Sequence, residues 1–176
     1  MRAAHLARRF VGALWPGRPR AVDEEWVARV LLPGELALWR RMPRHDRRHS
    51  IRVARAVQAA LAGTVHDEDS RWLAAALLHD VGKLDAGLGV YGRVVATLAG
   101  GAAGHEMADA WSARRGFTRR VGLYLRHGEL GADMIRLAGG REEAARWAAA
   151  HHDRASWTAT AIPSEVVAVL DAADDD

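Results

Sequence analysis

The stretch SRWLAAALLHDVGK, residues 70–83, decides the fold class of this chain. Residues 72–78 are all apolar, so a helix built from them has no polar face and is expected to be buried. This apolar run ends at the polar pair His79-Asp80. The next three residues are a valine, a glycine and Lys83. We therefore expect a buried helix that carries a histidine and an aspartate at its end.

The sequence on both sides of this stretch predicts an all-α fold, because alanine, leucine and arginine dominate and β-branched alternation is never sustained. After a helix that starts at Asp23, helical patterns cover residues 35–42, 46–62, 70–78, 105–114, 118–126, 129–137, 141–151 and 163–176. Six glycines interrupt the pattern between residues 85 and 104, where we expect a mobile loop or short irregular helices over a site. The predicted architecture is a single compact helical bundle over residues 23–176, with residues 1–22 as a basic N-terminal tail.

The composition of the chain excludes several classes of protein. At 176 residues with 49% hydrophobic side chains, the chain is long enough for one domain with a substantial core. A charged fraction of 27% with a net charge of only +3 excludes a disordered acidic or basic chain. The absence of cysteine excludes disulfides, thiolate zinc sites and a cysteine nucleophile. Because no run of about 18 uncharged apolar residues occurs, we expect no transmembrane segment and a cytoplasmic location.

Nine histidines raise the question of which of them converge. Four are followed by aspartate, at positions 45, 66, 79 and 152, but only His79-Asp80 comes at the end of a buried helix. His49 shares a helix face with Val53 and Val57, so its side chain is expected to point inward. An inward histidine standing alone is typical of a hydrogen-bonded core residue.

Further candidate ligands come from the second half of the chain. His127 opens the phrase His127-Gly-Glu-Leu-Gly-Ala132, and His151-His152 ends an alanine-rich helix. Asp171 and Asp174 lie one turn apart in the last helix, so either can face inward. Imidazoles and carboxylates from five helices are the ligands that a hard or borderline divalent metal takes where thiolates are absent.

This pattern resembles the HD superfamily of metal-dependent phosphohydrolases, which are all-helical domains named for a histidine, a histidine-aspartate pair and a later aspartate. The matching segments are Arg48-His49-Ser50, Leu77-Leu78-His79-Asp80-Val81-Gly82-Lys83 and Ala172-Ala173-Asp174. The resemblance extends over residues 46–176. It implies an HD-like helical bundle with His49, His79, Asp80 and an aspartate of the last helix as metal ligands. The Ala-Asp context favours Asp174, and Asp171 is the alternative.

The remaining histidines resemble those of two-metal branches of the superfamily, the HD-GYP phosphodiesterases and the bacterial HD hydrolases of dinucleoside tetraphosphates. The resemblance implies that His127, His151 and His152 bind a second ion. The chain departs from the HD-GYP pattern, because no Gly-Tyr-Pro follows His151-His152. Hydrolysis of cyclic dinucleotides is therefore not expected.

The resemblance implies an enzyme that cleaves a phosphate ester or anhydride of a small nucleotide-like substrate by metal-activated hydroxide. Asp80, bridging or holding the metal, and Lys83, beside a phosphate oxygen, are the expected catalytic residues. The cofactor is one or two divalent ions, with iron or manganese favoured, and zinc, cobalt and nickel fitting the same ligands.

Two other functions are compatible with these residues. One is a non-catalytic HD-like module that binds a nucleotide or a partner. The other is nucleic-acid binding through five arginines at positions 40, 41, 44, 47 and 48, which is disfavoured because only Trp39 lies beside them for base stacking. The sequence predicts no oligomeric state.

Overall fold

The regular secondary structure of this computed structural model is entirely helical in residues 17–175, the part of the chain that it describes. These residues form ten α-helices and one 3-10 helix, without a strand, so the expected all-α class is confirmed. The helices are α1 Ala21–Val30, α2 Pro33–Arg41, α3 Arg44–Leu61, α4 Ser70–Leu78, α5 Lys83–Ala86, α6 Val90–Ser112, α7 Gly116–Leu125, α8 His127–Leu137, α9 Glu142–Ala150, the 3-10 helix Arg154–Thr160 and α10 Ser164–Asp175.

Helix α4 lies at the centre of the bundle, where α1, α2, α3, α9 and α10 all contact it. Every residue from 72 to 78 is buried, as the unbroken apolar run predicts. Val57 of α3, Trp147 of α9 and Leu170 of α10 belong to the same core. The central helix therefore delivers the residues that follow it, His79 and Asp80, into the interior of the protein.

The segment 85–104 is helical except at residues 87–89. One long regular helix from residue 90 onward takes the place of the mobile loop or short irregular helices that the sequence predicts there, so that prediction is wrong for residues 90–104. The segment contains the end of α5 and most of α6, which packs along α7. A Cβ at Gly122 of α7 would come within 2.3 Å of the Ser112 backbone, so this glycine lets the two helices approach closely. Each glycine inside a helix costs about 1 kcal/mol relative to alanine, and burial of Ala96 and Val121 in a second, smaller core offsets this cost.

The first described helix begins inside the predicted basic tail. Helix α1 starts at Ala21, two residues before the expected start, and Asp23 lies in its first turn with its carboxylate bound to Arg20 Nε at 2.8 Å. Residues 1–16 of the predicted tail lie outside the described residues. Among residues 17–175, the structure has no helix with the length and apolar character needed to cross a membrane.

Candidate metal centre

Side chains from five parts of the bundle meet beside the end of α4. They form two groups, and within each group one candidate ligand atom per residue lies within 4.8 Å of the others. The first His/Asp group is His49 of α3, His79 after α4 and Asp174 of α10. The second His/Asp group is Asp80 after α4, His127 of α8, and His151 and His152 after α9.

Asp174, and not Asp171, lies in the first His/Asp group. Its Oδ1 is 2.9 Å from His49 Nε2 and 3.5 Å from His79 Nε2. Asp171, one turn earlier on α10, instead accepts a hydrogen bond from Arg154 Nη2 at 2.6 Å. Of the two aspartates that the sequence offers, Asp174, the preferred one, is therefore the one grouped with the two histidines.

Asp80 lies between the two groups and presents one carboxylate oxygen to each. Its Oδ2 is 3.5 Å from Nε2 of His79 in the first group. Its Oδ1 is 3.3 Å from Nε2 of His127 and 3.7 Å from Nε2 of His151 in the second. His152 completes the second group, with its Nε2 3.2 Å from His127 Nε2. This arrangement allows one carboxylate to contact two neighbouring cations.

Backbone carbonyls fix the ring orientation of three of these histidines. In His79, His127 and His151, Nδ1 lies 2.9, 2.6 and 2.8 Å from the carbonyl oxygen three residues earlier. A carbonyl only accepts, so Nδ1 must carry the proton and donate it. Whenever such a ring is neutral, its Nε2 lone pair therefore faces Asp80. The Nε2 atoms of His79 and His151 are buried without a hydrogen-bond partner among the described residues. In metal-ligating histidines, one ring nitrogen usually donates a hydrogen bond to a carbonyl or carboxylate while the other binds the metal.

The electrostatics of the first group favour a positive charge at His79. Burial of the ring opposes its protonation, but the Asp80 and Asp174 carboxylates outweigh burial and raise the pKa of His79 to about 10. Burial opposes ionisation of Asp80 too, yet Lys83 and His79 hold the pKa of this carboxyl well below its usual value. Two ionised carboxylates beside a buried imidazole thus demand a positive charge there, which a proton or a divalent cation can supply.

Two histidines of the second group, His127 and His152, are neutral near pH 7. Burial and the nearby Lys83 ammonium lower the pKa of His127 to about 4, although Asp80 opposes the shift. Burial and the neighbouring imidazoles of His151 and His127 also lower the pKa of His152. Neutral imidazole is the form that binds metals, so both rings are in the state that coordination requires.

Lys83 points at Asp80. Its Nζ donates to Asp80 Oδ2 at 2.5 Å, and its side chain is only 6% exposed. The chain has no other lysine, and this one is buried against the carboxylate that lies between the two groups. The structure therefore places the ammonium close to any cation or phosphate that Asp80 would contact.

A close backbone contact positions the second group. A Cβ at Gly82 would lie 1.9 Å from the carbonyl oxygen of His127 and 2.5 Å from the backbone nitrogen of Gly131. Only a glycine allows the turn after Asp80 to lie against the first turn of α8. This contact brings Asp80 and His127 together although 47 residues separate them in sequence.

Two arginines near the groups make contacts that the sequence analysis does not use. Arg52 Nη2 lies 3.0 Å from His49 Nδ1, three residues along the same helix. Arg93 of α6, which the sequence analysis did not single out, makes a bidentate ion pair with Asp46 of α3 at 2.6 and 2.8 Å. An i, i+3 spacing could have indicated the first contact, but no local signal could have indicated the second.

The comparisons with known proteins agree with this geometry. The HD domain family matches residues 47–176, which include all seven residues of the two groups. No curated protein and no solved structure matches the chain. HD domains are generally metal-dependent phosphohydrolases, and the described residues contain His/Asp groups that could hold a metal. The match extends over well more than half of the chain, which therefore belongs to the HD domain family.

Proposed function

We propose that this chain is a metal-dependent phosphohydrolase that cleaves a phosphate ester or anhydride of a nucleotide-like substrate. The observation that carries the proposal is the position of Asp80, whose two oxygens face separate groups of buried histidines. A core histidine needs a hydrogen-bond partner at each ring nitrogen, whereas His79 and His151 keep a buried Nε2 without one among the described residues. A structural role alone does not account for that arrangement.

The donor set fits two divalent ions. The first ion would be held by the first His/Asp group together with Asp80, and the second by the second His/Asp group. Imidazole with carboxylate suits iron or manganese, which we favour, as well as zinc, cobalt and nickel. Divalent ions bound there would lower the pKa of water toward neutrality and offset the charge on the phosphoryl oxygens.

The protein's own residues would orient the ligands and supply a fixed charge. Backbone carbonyls hold His79, His127 and His151 in the tautomer that coordination needs. Asp80 stays ionised because Lys83 and His79 lower its pKa. Lys83, buried beside Asp80, would place its side-chain nitrogen next to the site where negative charge grows during phosphoryl transfer.

The experiment that tests this function measures metal content and turnover in the same preparations. Elemental analysis of tag-free protein should find close to two transition-metal ions per chain, and a panel of nucleotides and dinucleoside polyphosphates should include a hydrolysed substrate. Asp80→Asn should lose both ions and all turnover, because it removes the charge that both groups share.

Asp171→Asn is the matched control, since it makes the same change on α10 outside both groups. It should keep the metal and the activity. A wild-type protein that holds metal but hydrolyses no phosphate substrate would contradict the enzyme and support a non-catalytic HD-like binding module. Turnover that survives in Asp80→Asn would contradict the two-ion arrangement.

A further inference from the structure

A strongly basic cavity lies on the side of α3 that faces α1. Its volume is about 570 Å³, and its charged lining consists of five arginines and one carboxylate, Arg18, Arg20, Arg48, Arg52, Arg55 and Asp23. Arginine keeps its charge at any pH in which the protein is folded. The lining therefore carries an excess of four positive charges, whereas the entire chain has a net charge of +3.

This cavity adjoins the candidate metal centre through one side-chain contact. Arg52, which lines the cavity, has its Nη2 3.0 Å from His49 Nδ1. The opposite nitrogen of the same imidazole lies 2.9 Å from Asp174 in the first His/Asp group. An arginine of the cavity thus contacts a residue of the first group directly.

The scaffold holds several of these guanidinium groups in place. Arg55 stacks on Trp26 of α1, with its Cζ 3.7 Å from the ring centroid. Asp23 binds Arg20 Nε at 2.8 Å and lies 3.7 Å from Arg55 Nη2. Arg48 donates from Nη1 to the backbone carbonyl of Gly17. Arginines fixed in this way lose less side-chain entropy when they bind an anion, and their planar donors match the oxygens of a phosphate.

We propose that this arginine cavity binds a second phosphate group of the substrate while the first lies at the metal centre. The inference rests on the proposed phosphohydrolase function and names its substrate class: molecules that carry two or more phosphate groups, linked or close together, rather than phosphate monoesters. A single phosphate reaches only the ions, whereas a longer anion also reaches the excess positive charge beyond His49.

The test compares binding of two simple probes, inorganic pyrophosphate and inorganic phosphate, to metal-loaded protein by isothermal titration calorimetry. The cavity variant Arg18→Gln/Arg55→Gln changes two arginines that do not contact either His/Asp group. Its matched control, Arg40→Gln/Arg41→Gln, removes the same charge from the exposed end of α2, outside the cavity lining. Each ion contributes equally in all three proteins, so differences between them report the cavity.

We expect the cavity variant to bind pyrophosphate roughly tenfold more weakly, the size of a lost charged hydrogen bond, and the control to change by less than about twofold. Binding of inorganic phosphate should stay within about twofold in all three proteins. An equal loss of pyrophosphate affinity in the control, or no loss in the cavity variant, overturns the inference.

Hydrolysis measured in the same preparations separates the two proposals. If the wild type turns over no phosphate substrate while the pyrophosphate difference persists, the hydrolase function fails and the anion site stands. If turnover is present but the cavity variant reduces kcat/KM equally for a monoester and for a diphosphate, the cavity assignment fails alone. Arg18→Gln by itself, an exposed position ahead of α1, repeats the test if the double variant does not fold.

Discussion

A substitution of Lys83 can distinguish the binding of metal from the turnover of substrate. The Lys83 ammonium contacts Asp80 without belonging to either His/Asp group. We expect Lys83→Met to keep its ions, because all the metal-binding side chains remain. Its kcat should fall by about 10²-fold or more, because a fixed positive charge at the reacting phosphate is lost. Elemental analysis and steady-state kinetics on the same sample measure both effects.

Two results would contradict this role for Lys83. Unchanged kcat would mean that the ammonium only balances the charge of Asp80. Loss of the ions together with activity would mean that Lys83 maintains the geometry of the carboxylate. Lys83→Arg, which keeps the charge but not the compact ammonium, distinguishes charge from shape because it should recover part of the lost kcat.

At this scale the sequence predicts which residue types converge but not their final geometry. The apolar run before His79 and the helix face of His49 predict that both rings point inward, and they do. The preference for Asp174 over Asp171 depends on its Ala-Asp context alone. Both aspartates lie within one turn, and the rotation of α10 against α3 is set by tertiary packing. The tautomers of the histidines likewise depend on backbone carbonyls whose positions only the folded helices provide.

Between elements, the turn after α4 and the start of α8 depend on Gly82. We expect Gly82→Ala to destabilise the fold by about 1–3 kcal/mol, because the new methyl overlaps the His127 carbonyl and α8 must move away. The second His/Asp group should lose its ion in the same variant, since His127 moves with α8. Urea unfolding and elemental analysis measure the two effects.

Gly89→Ala is the control for this change. A Cβ at Gly89 meets nothing within 4 Å, and the residue precedes α6 with an ordinary negative φ. We expect this variant to retain both the free energy of unfolding and the metal content of the wild type. Equal behaviour of the two glycine variants would show that the contact between Gly82 and His127 does not position the second group.

The ion pair between α3 and α6 predicts a pH-dependent contribution to stability. Burial opposes ionisation of Asp46, but the hydrogen bonds and charge of Arg93 outweigh it, so the pKa of Asp46 lies below its usual value of 3.8. A depressed carboxyl pKa adds stability above the unfolded-state value, and this contribution is lost as the pH falls through the folded-state value.

We therefore expect Asp46→Asn to be less stable than the wild type by about 3 kcal/mol at pH 7, because Arg93 loses its partner while largely buried. The difference should narrow below about pH 4 as the wild-type carboxyl becomes protonated. Urea unfolding of both proteins between pH 3 and pH 7 gives the two curves. A difference that does not depend on pH would contradict the ion pair as its source.

The elements themselves were predicted unevenly, and α6 shows why. Helix propensity and periodicity are local properties, and the glycines between residues 85 and 104 lower both. The segment is helical because α7 packs along it and Arg93 anchors it to α3. No local sequence pattern indicates either contact, whereas the unbroken apolar run of α4 predicts a buried helix.

The arginine cavity likewise depends on the whole molecule. The sequence shows arginine at many positions, so no subset of them stands out as a site. The cavity exists because the chain before α1 folds against α3 and places Arg18 and Arg20 opposite Arg48 and Arg52. Fold class follows from pattern and composition, but the concentration of charge beside the metal centre follows from packing.

At the scale of the molecule, metal binding is expected to stabilise the whole bundle. The two groups take their side chains from α3, the end of α4, α8, the end of α9 and α10, so the complete ligand set exists only in the folded protein. A ligand present at a hundred times its Kd and bound only to the folded state adds about 2.7 kcal/mol to the free energy of unfolding. For a chain of this length, such a change shifts Tm by roughly 5–10 °C.

We expect a chelator to lower the Tm of the wild type by that amount in differential scanning calorimetry, and to leave the Tm of Asp80→Asn nearly unchanged. Asp174→Asn should show an intermediate shift, because it weakens only the first His/Asp group. An equal shift in wild type and Asp80→Asn would show that the chelator acts elsewhere. A site whose ligands come together only in the folded protein must couple metal binding to folding. If the chelator removes the measured metal and Tm does not fall, our proposal that the ions bind where the five helices converge is contradicted.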